Sequence, residues 1–387
     1  MSNKRDAVIV AYGRSAVCRA RKGSFANTHP IEWSAQVLTQ VVDMVPQIKP
    51  EDIDDIIIGC SVPINELGSN TARLISMRAG IPESVSSYTI NRFCSSGLQS
   101  IASCANAIIA GQAEIMVAGG VEDMTKTFGK GQKEHHDAWL EENMPGAYMG
   151  MGTTAENVAA HFGITREEMD AFACESHRKA YEAQQSGLLN KSIVPVTVKD
   201  ADGNDKVVTL DEGIRPGTNM EALAGLKPCF KPDGVVTAAT SSQTSDGAAF
   251  VVLMSREKAE ELGIKPIAKF VGFAVAGCDS TEMGLGPIYA VPKVMKLTGM
   301  SVDDMDVIEL NEAFAAQAIP CIRTLKFPMD KTNPMGGAIA LGHPMGATGG
   351  FLTCKALDYL REKGGKYALV TMCIGGGMGA AGIFEVE

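Results

Sequence analysis

None of the ten cysteines, at positions 18, 60, 94, 104, 174, 229, 278, 321, 354 and 373, pairs with another in CxxC spacing. Zinc sites announce themselves by close ligand pairs, and secreted disulfide frameworks by cysteine density in a short chain. Neither a metal site nor a disulfide scaffold is expected, and most of the thiols read as small buried hydrophobes. No stretch approaches the roughly 18 consecutive apolar residues of a membrane span. The N-terminus, MSNKRDAVIVAYGRSA, passes from charge straight into a strand-like apolar run without a secretory h-region or cleavage site, so a cytoplasmic location is expected. No Lys/Arg run offsets the formal net charge of −10. Nucleic acid and anionic membrane surfaces call for a basic stripe, and neither is expected as a partner.

What is present is the composition of a large globular protein. The chain has 387 residues, 45% of them hydrophobic and 21% charged, enough for two or three domains. An internal echo organises it. IKPEDIDDIIIG, ending at Gly59, resembles MSVDDMDVIELN, ending at Asn311, and Asp54 aligns with Asp306 at an offset of 252. The apolar runs IMVAGG from Ile115 and ALVTMCIGGG from Ala368 follow at nearly the same spacing. Between each pair lies a glycine-rich turn and a helical stretch. Such self-similarity predicts a duplicated α/β unit, and the short continuous apolar strands predict a mostly parallel sheet in each half.

The segment between the halves, about 120–243, reads as an inserted lid. Its 125–143 stretch reads as a solvated loop, followed by a helical run from Thr153 and a hairpin at VPVTVKDADGNDKVVTL. Near Thr237 small residues return and feed a core element. At the C-terminus AAGIFEVE reads as a closing strand.

Three stretches can carry chemistry. In NRFCSSG, Cys94 stands at or just before a helix start, where free N–H groups and the helix dipole favour a thiolate. An inert cysteine at a tight turn explains that stretch equally well. In GHPMGATG, His343 is held between Gly342 and Pro344, a setting poorly explained as helix surface. His135, His136, His161 and His177 fall in charged or helical contexts and read as solvated. In CIGGGMGAAG, the glycines from Gly377 match the dinucleotide fingerprint only formally, because the chain ends at Glu387 with no room for the βαβ unit. They read instead as backbone passing close to a reacting carbonyl, with Cys373 as a second acid/base thiol. A nucleophile, a proton-transfer group and N–H donors are what chemistry alpha to a thioester requires.

NRFCSSGLQ, NEAFA (311–315), GHPMGATG and CIGGGMGAA stand in the order of the signature blocks of one family, joined by MGTTAENVA (151–159) and the DGAA at Asp246. On these blocks, and over essentially its whole length, the sequence resembles the thiolase family. The resemblance implies two similar βαβαβαββ halves in five α-β-α-β-α layers, 1–266 and 267–387, with the lid in the first. It implies an acyltransferase of fatty-acid metabolism that uses coenzyme A and acyl-CoA thioesters as substrates, binds no cofactor or metal, and forms a homodimer or homotetramer. By the same resemblance, Cys94 accepts the acyl group, and His343 hydrogen-bonds to it. Cys373 protonates the departing acetyl-CoA carbanion and then deprotonates incoming CoA. The N–H groups of Cys94 and Gly375 form one oxyanion hole, and His343 with a water on Asn311 forms the other. Ser242 falls at the pantetheine chain and Arg215 at the nucleotide end, with Met151 among the substrate contacts.

One departure bears on substrate. Members that condense two acetyl-CoA molecules commonly carry His before the MGTTAEN block, where Gly150 stands. The resemblance therefore leans to a broad-chain 3-ketoacyl-CoA enzyme, with an acetoacetyl-CoA-specific one as the alternative. Cys373 argues against a β-ketoacyl synthase, and intact Cys94 and His343 argue against a non-catalytic acyl-CoA-binding homologue.

Overall fold

The computed structural model describes residues 5–127 and 136–387, so His135 and the middle of the 125–143 stretch lie outside the described residues. The first half runs β1 (Ala7–Arg14), β2 (Cys18–Arg19), α1 (Pro30–Asp43), β3 (Asp55–Gly59), α2 (Thr71–Arg78), β4 (Ser86–Ile90), α3 (Ser96–Ile109), β5 (Ile115–Asp123) and α4 (Met124–Thr127). The insertion carries α5 (Ala138–Asn143), α6 (Met151–Phe162), α7 (Arg166–Gln185), the hairpin β6 (Val196–Lys199) and β7 (Asp205–Val208), and α8 (Met220–Ala224). After β8 (Ser245–Ser255) and α9 (Arg256–Glu261) come β9 (Ala268–Gly277), α10 (Gly286–Thr298), β10 (Val307–Leu310), α11 (Ala315–Leu325), α12 (Ala338–Leu341), α13 (Met345–Lys363), β11 (Tyr367–Ile374) and β12 (Met378–Val386).

The strand order is β4-β3-β5-β8-β1 in the first half and β9-β12-β11-β10 in the second, and a short β1–β9 contact at Val8 and Ile9 joins them. Alternate residues of each strand face opposite layers. Ile56 and Ile58 pack outward with α1 and α2, while Ile57 faces α3 and α13 between the halves. Ile308 and Leu310 pack outward with α10 and α11. Five layers result, and because both faces of every central strand are covered, the strands read as unbroken apolar runs.

The duplication holds at the level of single hydrogen bonds. Asp54 Oδ2 accepts the Glu114 and Ile115 N–H groups at 2.7 and 3.0 Å, tying the entry of β3 to that of β5. Asp306 Oδ2 accepts those of Lys366 and Tyr367 at 2.6 and 3.0 Å, tying β10 to β11 in the same way.

The expectation of mostly parallel sheets needs correction. β3 pairs with β4 and β5 in parallel, and β10 with β11, but β5–β8, β8–β1, β11–β12 and β12–β9 are antiparallel. A tight turn suffices to reverse the chain between antiparallel neighbours. Gly376 and Gly377, at φ 81° and 82°, make that turn between β11 and β12.

Candidate active site

Cys94 lies in a single 3-10 turn, Phe93–Ser95, at the head of α3. The turn is bent sharply: Phe93 has φ 43°, a conformation that costs a bulky residue about 1–3 kcal/mol and persists only where its surroundings impose it. Those surroundings are local. Phe93 N–H donates to Asn91 Oδ1 at 2.8 Å, Arg92 N–H to Ser96 Oγ at 2.9 Å, and Ser96 Oγ to Phe93 O at 2.7 Å. Cys94 is only 8% exposed. Burial pushes its thiol up to about 11, opposed by the nearby Gly375 backbone. The shift runs opposite to the lowering expected at a helix start, because desolvation outweighs the donors.

Gly375 follows β11, and the space where its side chain would lie is bounded by Met151 Sδ at 3.6 Å and Phe93 Cδ2 at 3.8 Å. Two residues earlier, Cys373 is fully buried at the end of β11, packed with Met151, Phe314 and Met283. Burial, then the nearby Cys94, pushes its thiol well up. The two thiols are thus neighbours on different halves.

His343 sits between α12 and α13 and is 6% exposed. Its Nδ1 meets Thr348 Oγ1 at 2.6 Å, and that hydroxyl donates its proton to Pro344 O at 3.0 Å. Nδ1 therefore carries the ring proton and Nε2 is the acceptor, the arrangement that the surrounding hydrogen bonds assign. Asn311 Nδ2 lies 3.4 Å from Nε2. Burial pulls the imidazole down to about 4, so it is neutral at physiological pH. The ring's hydrogen bonds go to Thr348 and Asn311 rather than to Cys94. Asn311 itself follows β10, its N–H donating to Thr371 O at 3.0 Å, and its buried Oδ1 has no hydrogen-bond partner among the described residues.

The remaining expected residues fall into two groups. Ser242 N–H donates to Ala313 O at 2.9 Å, seating it against the loop that carries Asn311. Arg215 stands apart in an exposed turn before α8, its guanidinium unpaired among the described residues. Its N–H donates to His177 Nδ1 at 3.2 Å. His177, expected to be solvated, is instead 6% exposed on α7, and burial followed by the Arg215 charge pulls it down to about 4. A cavity of about 570 Å³ lined by Tyr12, Asp358 and Arg361 lies at the far end of α13 and includes none of these residues.

Sequence reasoning missed Thr348, Asn91 and Glu122. Glu122, wholly buried at the end of β5, accepts N–H bonds from Ser61 at 2.9 Å, Val62 at 3.2 Å and Gly346 at 2.7 Å. An Asn three residues before the thiol was a readable turn signal; nothing local marks Glu122 or Thr348.

Two buried thiols, Cys94 and Cys373, and the buried imidazole of His343 with the Asn311 amide beside it come together at the seam of a duplicated α/β fold. Family models for the thiolase N-terminal and C-terminal domains match residues 7–257 and 264–386. The chain belongs to the thiolase family. It is 46% identical to the 3-ketoacyl-CoA thiolase of Bacillus subtilis (strain 168), over 99% of this chain and 100% of that one. It is 45% identical to the peroxisomal 3-ketoacyl-CoA thiolase of Homo sapiens, over 98% and 91%. Among solved structures, the dimeric peroxisomal thiolase of Saccharomyces cerevisiae matches with TM-score 0.92 and 38% identity, covering 100% of this chain and 99% of that one. Bacillus anthracis acetyl-CoA acetyltransferase matches with TM-score 0.91 and 38% identity, covering 99% of each.

Proposed function

We propose that the chain is a 3-ketoacyl-CoA thiolase, cleaving its substrate with CoA to acyl-CoA and acetyl-CoA, in which Cys94 carries the acyl group and Cys373 moves the proton. The observation that carries this reading is the approach of the buried Cys94 turn to the end of β11, where the space at Gly375 is bounded by Phe93 at 3.8 Å and Cys373 lies buried two residues earlier. The relatives at 45% and 46% identity bear the same activity in their names.

His343 Nε2 takes the Cys94 proton as sulfur adds to the C3 ketone. The Cys94 and Gly375 N–H groups are donors for charge on an oxygen bonded beside that sulfur. The C2–C3 bond then breaks, the acyl group stays on sulfur, and Cys373 gives its proton to the acetyl-CoA carbanion. The Cys373 thiolate next deprotonates incoming CoA, whose sulfur displaces the acyl group from Cys94. High thiol pKa values suit this cycle, since each thiol starts protonated and gives its proton only on demand. The unpartnered Asn311 Oδ1 suits a water that, with His343, holds the enolate oxygen. The unpaired Arg215 guanidinium suits a CoA phosphate, and the half-buried Ser242 and Met151 its pantetheine chain. CoA enters as substrate, and no bound cofactor or metal is invoked.

We place the boundary between halves at 266/267 and the lid at about 120–243. The open edge of β4, flanked by exposed Tyr88, Leu74 and Met77, suits pairing with a second copy, in a homodimer or a homotetramer built from it. No described helix is long and apolar enough to cross a membrane, and we propose a cytoplasmic enzyme. The test is CoA-dependent cleavage of 3-ketoacyl-CoAs with acyl chains from four to sixteen carbons. Acetyl-CoA should appear in step with substrate loss; activity on acetoacetyl-CoA alone would favour the narrower acetyltransferase, and none at all would remove the reading.

A further inference from the structure

We propose that Glu122 is a positioning residue that holds the Cys94 turn of the first half and the His343 turn of the second half in register across the seam between them. The inference rests on the reading of Cys94 as nucleophile and His343 as its base.

One carboxylate reaches both turns. Toward the second half, Glu122 Oε2 accepts the N–H of Gly346, three residues after His343 and in the first turn of α13, at 2.7 Å. Toward the first half, it accepts Ser61 N–H at 2.9 Å. Ser61 O in turn accepts Asn91 Nδ2 at 2.9 Å, and Asn91 Oδ1 accepts the N–H of Phe93, the residue before Cys94, at 2.8 Å. A continuous chain of hydrogen bonds therefore runs from the strained Cys94 turn, through Asn91, Ser61 and Glu122, to the helix that begins beside His343. A carboxylate can accept several N–H bonds at once, whereas an amide in its place turns one of its two polar ends into a donor.

The seam has no room to adjust if this tie is lost. A side chain on Gly346 would meet Ser61 N and Val121 O at 2.7 Å, and one on Gly97 would meet Gly346 O and Gly350 N at 3.0 Å. Backbone thus touches backbone where α13 crosses α3, so the hydrogen bonds across the seam act at close range with no side chain between. The strained φ of Phe93 requires a support of this kind.

Burial pushes the Glu122 carboxyl up to about 7, opposed by its three N–H donors. The groups facing it are Asp123, next in β5, Cys60, with Sγ at 3.9 Å, and Cys94. The first turn of α13 adds no titratable side chain. The tie is complete when Glu122 is ionised and weakens as pH falls through 7.

The experiment is Cys94 acetylation by acetyl-CoA, followed by intact-protein mass spectrometry over a pH series, in wild type, E122Q and D123N, with C94S as blank. E122Q should acetylate about tenfold or more slowly, the scale of a misaligned reacting pair, with the acetyl-CoA concentration for half-maximal rate unchanged. The wild-type rate should show an inflection near pH 7 that E122Q lacks and D123N keeps. Acetylation of folded E122Q within about twofold of wild type, well short of that tenfold loss, overturns the proposal, as does an inflection that survives in E122Q. Absence of acetylation in wild type would instead remove the functional reading beneath it. Should E122Q not fold, hydrogen exchange on wild type decides. Protection of the Ser61, Val62 and Gly346 amides should fall together below pH 7, and protection independent of pH overturns the proposal.

Discussion

Thr348 fixes which nitrogen of His343 is free to act. Its hydroxyl lies 2.6 Å from Nδ1 with Pro344 O at 3.0 Å to take its proton, and the Asn311 amide nitrogen faces Nε2, an arrangement in which Nδ1–H donates to Thr348. The lone pair is left on Nε2, the nitrogen that Asn311 approaches. Removing that acceptor without changing side-chain shape should release the tautomer.

Thr348→Val is therefore expected to slow Cys94 acylation by about tenfold to a hundredfold, the worth of a correctly held general base. Binding of acetyl-CoA should be unaffected. Single-turnover acylation against substrate concentration separates the two, and a variant altered only in half-saturation would contradict the tautomer assignment.

Lys355 and Glu309 form an ion pair, at 2.8 Å, whose side chains are 4% and 0% exposed. Lys355 also donates to Gly336 O at 2.6 Å. Breaking such a pair leaves a charge with no partner in low dielectric, which costs about 3–5 kcal/mol. Lys355→Met should lower the urea midpoint accordingly, and Glu309→Gln in the same chain should recover most of the loss. Equal stability of the single and double variants would contradict the pairing.

Asp123 and Asp246 face one another across the β5–β8 ladder, both buried. Burial, then Asp246, pushes Asp123 up to about 7, and burial pushes Asp246 up to about 6. Both folded values lie above the ordinary aspartate value of 3.8. Their favourable contribution is thus complete below pH 3.8 and is lost as pH rises through 6 to 7. Asp246→Asn keeps an acceptor for the Thr125 N–H and can donate to Asp123. At pH 8 it should stabilise the protein by on the order of 1–2 kcal/mol relative to wild type, with little gain near pH 3.5, below the unfolded value. Thermal melts at the two pH values check this, and an equal gain at both would rule out the charge explanation.

The two halves were legible because the echo is written in local residues. Asp54 and Asp306 each cap a strand entry through contacts that recur at the same offset. Strand direction was not, since a continuous apolar run reports that both faces are covered and says nothing of which way a neighbour runs. Cys94, His343 and Cys373 stood out by their glycine-lined surroundings. Their protonation did not, because it depends on burial by chain segments far away in sequence. His177 shows the same limit: a polar helical context concealed a buried imidazole. Glu122 and Gly346, 224 residues apart, meet only in the folded seam.

The division of labour between the two thiols is most directly tested in Cys373→Ser. Mass spectrometry after exposure to acetyl-CoA should show one acetyl group on Cys94, as in wild type, while acetoacetyl-CoA formation is lost. Parallel loss of acetylation and condensation, or an acetyl group on a residue other than Cys94, would contradict the account.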